Sequence, residues 1–133
     1  MSASVPTRGQ LERKLSQLIQ SLYTKEIGHQ PSKIICQLSD KSLTIILEDS
    51  ITQPEQLLAQ QGQDDLAKEV RSNLDEALKP KLQEVVESVL AVKAIDILSN
   101  ATLDTGRTGI VVVLESAPKF REAAAKAKPK SEK

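Results

Sequence analysis

KIICQLSDKSLTIILE, which spans Lys33–Glu48, is the stretch of sequence that decides the fold. It contains two short runs rich in isoleucine and leucine, Lys33–Leu38 and Leu43–Glu48, on either side of the polar tetrapeptide Ser39–Ser42. Aliphatic runs of this length, bounded by polar turn residues, are typical of β-strands. Because the connection is so short, the two strands are predicted to form a hairpin.

A helix is predicted before this hairpin, over Arg8–Ile27. Its apolar residues recur at spacings of three and four, which places them along one face of a helix. Gly28 is a predicted stop, because glycine accepts the left-handed conformation that often ends a helix. The apolar face consists of Leu11, Leu15, Leu18, Ile19, Leu22 and Ile27.

Two more helices are predicted after the hairpin. Thr52 and Glu55 have the spacing of a capping box, which predicts a short helix over Gln53–Gln60. A long helix is predicted over Asp64–Leu90, capped by its first residue and kinked, without being divided, at Pro80. Its predicted apolar stripe comprises Leu66, Val70, Leu74, Leu78, Leu82, Val85, Val86, Val89 and Leu90.

Two further strands complete the predicted fold, Val92–Ser99 and Gly109–Glu115, joined by a polar loop over Asn100–Thr108. The order helix, strand, strand thus occurs twice, over residues 8–50 and 64–117, which indicates a structural pseudo-repeat. The predicted fold class is α+β, with the two units forming a four-stranded, mainly antiparallel sheet and helices packed on it. We expect a flexible arm over residues 1–7, a single domain over 8–117, and a basic, disordered tail over 118–133.

Composition excludes several classes of function. The 133 residues include 18 basic and 18 acidic side chains, one cysteine and one histidine. One cysteine cannot build a disulfide framework or a cysteine-rich zinc site, and one histidine cannot build a multi-histidine metal site. Two aromatic side chains, Tyr23 and Phe120, cannot stack a run of bases, and zero net charge opposes a nucleic-acid interface. Nucleic acid is therefore not an expected partner.

Residues with reactive side chains show no catalytic spacing. Cys36 lies within an aliphatic run, as expected of a buried small hydrophobe, and His29 lies in a connection before Pro31. Carboxylates near the strand ends, such as Asp96 and Asp104, are not spaced as a catalytic pair or a metal site. We therefore expect no enzymatic activity, no cofactor and no metal.

The location of the chain is expected to be cytoplasmic. No apolar run approaches the roughly 18 residues that a membrane-spanning helix needs. Met1–Gln10 also lacks the apolar segment of a secretory signal.

The zero net charge is the sum of two oppositely charged parts. Lys119–Lys133 carries six basic and two acidic residues, so the rest of the chain carries four more acidic than basic ones. Clustered lysines favour contact with an anionic surface, which predicts at most a peripheral attachment to a membrane through the tail. The candidate attachment residues are Lys126, Lys128 and Lys130.

The predicted sheet is apolar on both faces, which favours a protein-binding role. One face is expected to be covered by helices, and the other by a partner or by a second copy of the chain in a homodimer. An open sheet edge would also accept a partner's short peptide by strand addition. The candidate partner-binding residues are Ile35, Gln37, Ile46, Ile95, Ile97, Val111 and Val113.

The loop before the last strand offers a candidate anion site at Thr105, Gly106 and Arg107. Its threonine and glycine content is similar to that of an anion cradle, and Arg107 is its strong anion-binding candidate. The loop precedes a strand and lacks the phosphate-loop pattern, so a simple hairpin loop is favoured over a ligand site.

The chain resembles the small MpsC-type domain family. The resemblance covers about Leu11–Glu115 and is most specific in Leu98-Ser99, Thr102 and Asp104-Thr105-Gly106-Arg107, followed by an aliphatic strand. It implies an association with a sodium-translocating, membrane-potential-generating system linked to inorganic-carbon uptake. A weaker similarity, in size and glutamine content, is to CcmS-type carboxysome-assembly chaperones, and it implies the C-terminal peptide of a shell protein as partner.

Three functional hypotheses follow from these observations. The leading one is a non-enzymatic, peptide-binding assembly factor or chaperone for carbon-concentrating (carboxysome shell) machinery. The second is an accessory subunit of a sodium-translocating, membrane-potential-generating or inorganic-carbon uptake system. The third is a small anion-binding domain.

Overall fold

The computed structural model describes residues 5–121, which form three helices and four strands. The short helix α2 connects two units of the order helix, strand, strand. The elements are α1 (Arg8–Ile27), β1 (Lys33–Ser39), β2 (Ser42–Glu48), α2 (Gln53–Gln60), α3 (Asp64–Leu90), β3 (Ala94–Thr102) and β4 (Arg107–Leu114).

The four strands form one sheet in the order β1-β2-β4-β3, and every neighbouring pair is antiparallel. Two hairpins therefore lie side by side and are joined through β2 and β4. Ile35 lies opposite Ile46 in the first hairpin, and Leu98 lies opposite Val111 in the second. The predicted α+β class, with helices packed on an antiparallel sheet, is confirmed.

The core lies between one face of the sheet and the helices α1 and α3. Strand residues that point to this face alternate with outward ones, so β2 buries every second side chain. The core is almost wholly aliphatic, and Tyr23 is its large aromatic side chain. Its largest fully buried aliphatic members include Leu15, Ile19, Leu43, Ile45, Leu47, Val86, Val112 and Leu114.

The helix ends follow local capping rules. Thr52 accepts a hydrogen bond from the N–H of Glu55 in a capping box, as predicted. Gly28 ends α1 with φ of 78°, in the left-handed region. The cap predicted for α3 is wrong: Gln63 precedes the helix without a side-chain hydrogen bond, and Asp64 is its first residue. The helix continues through Pro80 as one element.

The structure corrects the ends of the last two strands. Residues 100–102 extend β3, and residues 107 and 108 begin β4, so the predicted nine-residue loop shrinks to residues 103–106. Polar side chains such as Asn100 and Thr108 suggested a loop, although both residues pair across the ladder. Gly106 permits the tight turn with φ of 73°.

Both ends of the described chain contact each other. Thr7, assigned to the arm, is the N-cap of α1 and forms an isolated parallel bridge with Arg121. The N–H of Arg121 donates to the carbonyl of Pro6, and Phe120 packs against the core. The packed body therefore extends to Arg121. The predicted attachment residues Lys126, Lys128 and Lys130 lie outside the described residues.

Candidate functional site

The β1 edge of the sheet is covered by α1. Three polar side chains spaced one helical turn apart on α1 bond to the outward backbone groups of this edge and its approach. Glu12 accepts from the N–H of Leu38 (2.8 Å), Ser16 donates to the carbonyl of Ile34 (3.3 Å), and Gln20 donates to the carbonyl of Pro31 (3.3 Å). This edge therefore has little capacity to accept another strand.

No element within residues 5–121 covers the β3 edge of the sheet. The N–H of Leu114 donates to the carbonyl of Lys41 in the β1–β2 turn. The backbone groups of Leu114 therefore face β2. Backbone groups alternate sides along a strand, so the N–H and C=O of Val111, three residues earlier, face β3. There Val111 lies opposite Leu98, whose own N–H and C=O face β4. The neighbours Ile97 and Ser99 therefore direct their N–H and C=O groups away from the sheet. Within residues 5–121 these groups have no hydrogen-bond partner, and we call them the free edge of β3.

At both ends of β3, outward backbone groups form hydrogen bonds with side chains, so the free edge is limited to the middle of the strand. At one end, Glu87 accepts from the N–H of Ala94 (2.9 Å), and Gln83 donates to the carbonyl of Ala94 (3.4 Å). The hydrogen bond from the N–H of Ala94, together with a second one that Gln83 donates to the Glu87 carboxylate (3.0 Å), lowers the pKa of Glu87. At the other end, Asn100 accepts from the N–H of Ala101 (2.9 Å).

A cavity of about 620 Å³ lies beside the free edge. Ser99–Asp104 line it from the sheet side, one face of the first half of α3 lines it from the helix side, and Ala59 of α2 also contributes. We call this cavity the β3–α3 groove. Ser99 belongs both to the groove and to the free edge, so a strand added to β3 would lie along the groove.

A buried ion cluster of Arg71, Glu55 and Asp75 borders the groove. The guanidinium of Arg71 donates through Nε and Nη2 to the two oxygens of Glu55 (2.7 and 2.5 Å) and through Nη1 to Asp75 (3.3 Å). Its Nη2 also donates to the carbonyl of Ser50 (2.9 Å). Glu55 completes the capping box of α2, so the Arg71 cluster fastens α2 and the β2–α2 connection to α3.

The Arg71 cluster carries one more negative than positive charge. Burial raises the pKa of Asp75 above its usual range, and the attraction of Arg71 only partly offsets this effect. Burial is also the main reason why the pKa of Tyr23 is strongly raised, and the charge of Asp75 adds to it. A buried carboxylate whose charge is incompletely balanced is a candidate binding group for a cation.

The predicted anion loop is engaged in internal bonds. Arg107 donates through Nε to both oxygens of Glu48 (3.0 and 2.9 Å), and the hydroxyl of Thr105 bonds to that of Thr102. The carbonyl of Gly106 accepts from the backbone and the hydroxyl of Ser50. These bonds tie the β3–β4 hairpin to the β2–α2 connection, and the three predicted residues do not form an open cradle.

The structure brings five of the predicted partner-binding residues onto the open face of the sheet, which the helices leave uncovered. Leu98, which the sequence reasoning missed, is 55% exposed and lies opposite Val111. The five predicted residues on this face are Ile35, Gln37, Ile46, Val111 and Val113.

The other two predicted residues lie elsewhere because β3 is irregular. A register shift between Ala94 and Asp96 leaves Ile95 without a partner, and Ile95 is 63% exposed. After the shift Asp96 lies opposite Val113 on the open face, and Ile97 packs against the core. Ile97 is therefore removed from the candidate surface.

Sequence reasoning also missed Arg71. The predicted stripe of α3 ran through Leu66, which is 44% exposed, whereas the structure buries Ala67 and Arg71. Arg71 follows Ala67 by four residues and precedes Leu78 by seven, which is the spacing of the buried face. A charged residue at a position whose spacing places it on the buried face is the signal that could have identified the Arg71 cluster.

The remaining candidates offer little chemistry. Cys36 is buried, and burial raises the pKa of its thiol. The Nε2 atom of His29 lies 2.8 Å from the carbonyl oxygen of Asp49. In residues 5–121 no three metal-ligating side chains form a cluster. No helix in the same range is both long enough and apolar enough to cross a bilayer.

Comparison with known proteins gives a family assignment. No curated protein and no solved structure matches the chain. Residues 7–116 match the family model MpsC, described as a Na⁺-translocating membrane potential-generating system. This match spans most of the chain and includes all seven elements and the hairpin loop. The chain is therefore a member of the MpsC family.

Proposed function

We propose that this chain is a non-catalytic, protein-binding subunit of a Na⁺-translocating, membrane-potential-generating system. It would hold an extended segment of a partner protein as a fifth strand on the free edge of β3. The observation that carries the proposal is the asymmetry of the two sheet edges. Side chains of α1 cover β1, whereas the outward groups of Ile97 and Ser99 have no partner within the described residues.

The geometry of this edge suits strand addition. Backbone hydrogen bonds to β3 would supply affinity for any extended segment, and the β3–α3 groove would select among side chains. Because the backbone of β3 is already paired in the sheet, most of the backbone freedom lost on binding would be the partner's.

The description of the family supports the system named here. Nothing in the comparisons supports the carboxysome-assembly role or a shell-protein peptide as partner. The anion-binding alternative is weakened by the internal bonds of Arg107 and Gly106.

The proposal is tested by a proline on the free edge. Ser99→Pro removes one outward N–H and adds a ring at the edge, whereas the sheet's own ladder loses no hydrogen bond, since the N–H of Ser99 points away from β4. Ser99→Ala is the matched control, because it removes the hydroxyl and keeps the N–H. Tagged natural chain and both variants would be used to capture proteins from the native host, including its membrane fraction.

The expected result is a component of a Na⁺-translocating system that the natural chain and Ser99→Ala retain and that Ser99→Pro loses. Circular dichroism would verify that all three proteins are equally folded. Equal capture by the folded Ser99→Pro variant would contradict binding at this edge.

Self-association on the open face of the sheet is a second candidate function. Ile35, Leu98 and Val111 are 37–55% exposed on this face, and they lie on three different strands. A second copy could cover them by packing sheet against sheet. Light scattering over a range of concentrations would show a dimer that Val111→Lys weakens, and a monomer throughout would contradict this candidate.

A further inference from the structure

Strand addition at β3 would place half of the partner's side chains in the β3–α3 groove. Along a strand, residues whose backbone groups face the same neighbour also point their side chains to the same face. The N–H and C=O of Ser99 point away from the sheet, and its side chain lines the groove. The partner residue that lies directly opposite Ser99 would therefore point into the groove as well, and so would every second residue of the added strand.

The groove is acidic. Within the described residues, Asp64 and Asp104 form no ion pair, and the charge of Arg71 is offset by Glu55 beneath it. Small side chains at Ser72 and Ala101 leave room for long ones from a partner. Glu76 is already paired with Lys79 (2.7 Å), so the acidic character rests on the other three carboxylates. The charged lining comprises four carboxylates and two cations: Asp64, Asp75, Glu76 and Asp104 against Lys68 and Arg71.

Asp75 is the most distinctive of these carboxylates. Its side chain is 10% exposed, and it lines the groove. One oxygen accepts a long hydrogen bond from Arg71 at 3.3 Å, and the other has no partner within residues 5–121. A largely buried carboxylate oxygen without a partner is costly unless a donor arrives, and a cationic donor would also balance the extra negative charge of the Arg71 cluster.

We infer that the segment held at this edge is basic, with lysine or arginine at alternate positions and one such side chain reaching Asp75. This inference rests on the strand addition proposed above and adds the chemistry of the partner. An acidic segment would place its carboxylates against those of Asp64, Asp75 and Asp104, which is unfavourable at such short range.

The test uses three synthetic peptides with a fluorescent label. One alternates threonine with lysine, one alternates threonine with glutamate, and one has the composition of the first with its lysines in a single block. Binding to the full-length chain would be measured by fluorescence anisotropy at low salt. Because Lys126, Lys128 and Lys130 of the chain itself alternate in the same way, a variant with serine at these positions is assayed in parallel.

The alternating lysine peptide is expected to bind more tightly than the other two, with the same order in the serine variant. Asp75→Asn is expected to weaken its binding about tenfold or more, since a buried charge pair loses one partner. Asp96→Asn makes the same change on the open face and should leave binding unaltered. If Asp75→Asn does not fold, Asp104→Asn in the exposed hairpin loop replaces it, with a several-fold loss expected.

The outcomes separate this inference from the proposed function. Equal or tighter binding of the glutamate peptide, or no effect of the groove variants, would overturn the basic preference. Lack of binding by the lysine peptide would also overturn the basic preference. In that case the capture experiment still decides the proposed function: a partner captured by Ser99→Ala and not by Ser99→Pro would support strand addition. Undiminished binding of the lysine peptide to Ser99→Pro would overturn both proposals, because the basic segment would then bind away from the free edge.

Discussion

Replacing Arg71 with methionine is expected to destabilise the fold strongly. Arg71 is 4% exposed, and its guanidinium donates two hydrogen bonds to Glu55, one to Ser50 and one to Asp75. Arg71→Met keeps most of the apolar stem but leaves two buried carboxylates without their cation. Breaking a buried ion pair in this way costs about 3–5 kcal/mol of unfolding free energy.

Urea denaturation followed by circular dichroism measures this loss. For a domain of this size the unfolding free energy falls by about 1–3 kcal/mol per molar urea, so the midpoint should decrease by about 2 M. The difference in unfolding free energy between the natural chain and Arg71→Met should also shrink as the pH falls, because protonation of the carboxylates removes the uncompensated buried charge.

Arg107→Met is the matched control. Arg107 also forms a two-oxygen contact with a glutamate, Glu48, but its side chain is 51% exposed, so the loss should be about 1 kcal/mol or less. A loss below about 1 kcal/mol for Arg71→Met, or equal losses for both variants, would refute the view that the Arg71 cluster holds α2 and α3 together.

Four further predictions address single features. Tyr23 is the chain's only tyrosine, and burial and Asp75 raise its pKa, so ultraviolet titration should show no phenolate up to pH of about 11 unless the protein unfolds. Cys36 is buried and its thiol pKa is raised, so a thiol-specific reagent should label it slowly in the native protein and rapidly in concentrated urea. The raised pKa of Asp75 means that its ionisation disfavours the folded state, so Asp75→Asn should increase stability in urea at pH 7, with the advantage vanishing below pH of about 4. Removal of residues 122–133 should release the chain from anionic lipid vesicles in a sedimentation assay, since each lysine contributes about 1 kcal/mol, and unchanged sedimentation would contradict attachment through the tail.

Local sequence signals were sufficient to place most elements. The apolar spacing over Arg8–Ile27, the Gly28 stop and the Thr52 capping box are all confirmed, because each depends on residues within one or two turns. The first hairpin is confirmed for the same reason: its strands are aliphatic, and its turn is short.

Features that depend on distant residues could not be predicted in this way. The irregularity near Asp96 changes which side chains of β3 face outward, and it has no signature in the aliphatic run around it. Which of the two sheet edges is covered depends on where α1 packs, and that requires the tertiary arrangement. Arg71 becomes a buried residue only because Glu55, from another helix, lies beside it.

Hydrogen exchange at the backbone amides of Ile97 and Ser99 is the most direct test of binding at the free edge of β3. In the chain without a partner these two amides should exchange quickly, unlike those of Leu98 and Val111, which face each other inside the sheet. In the presence of the captured partner both should become protected. Binding that leaves the two amides as fast as before would contradict strand addition at this edge.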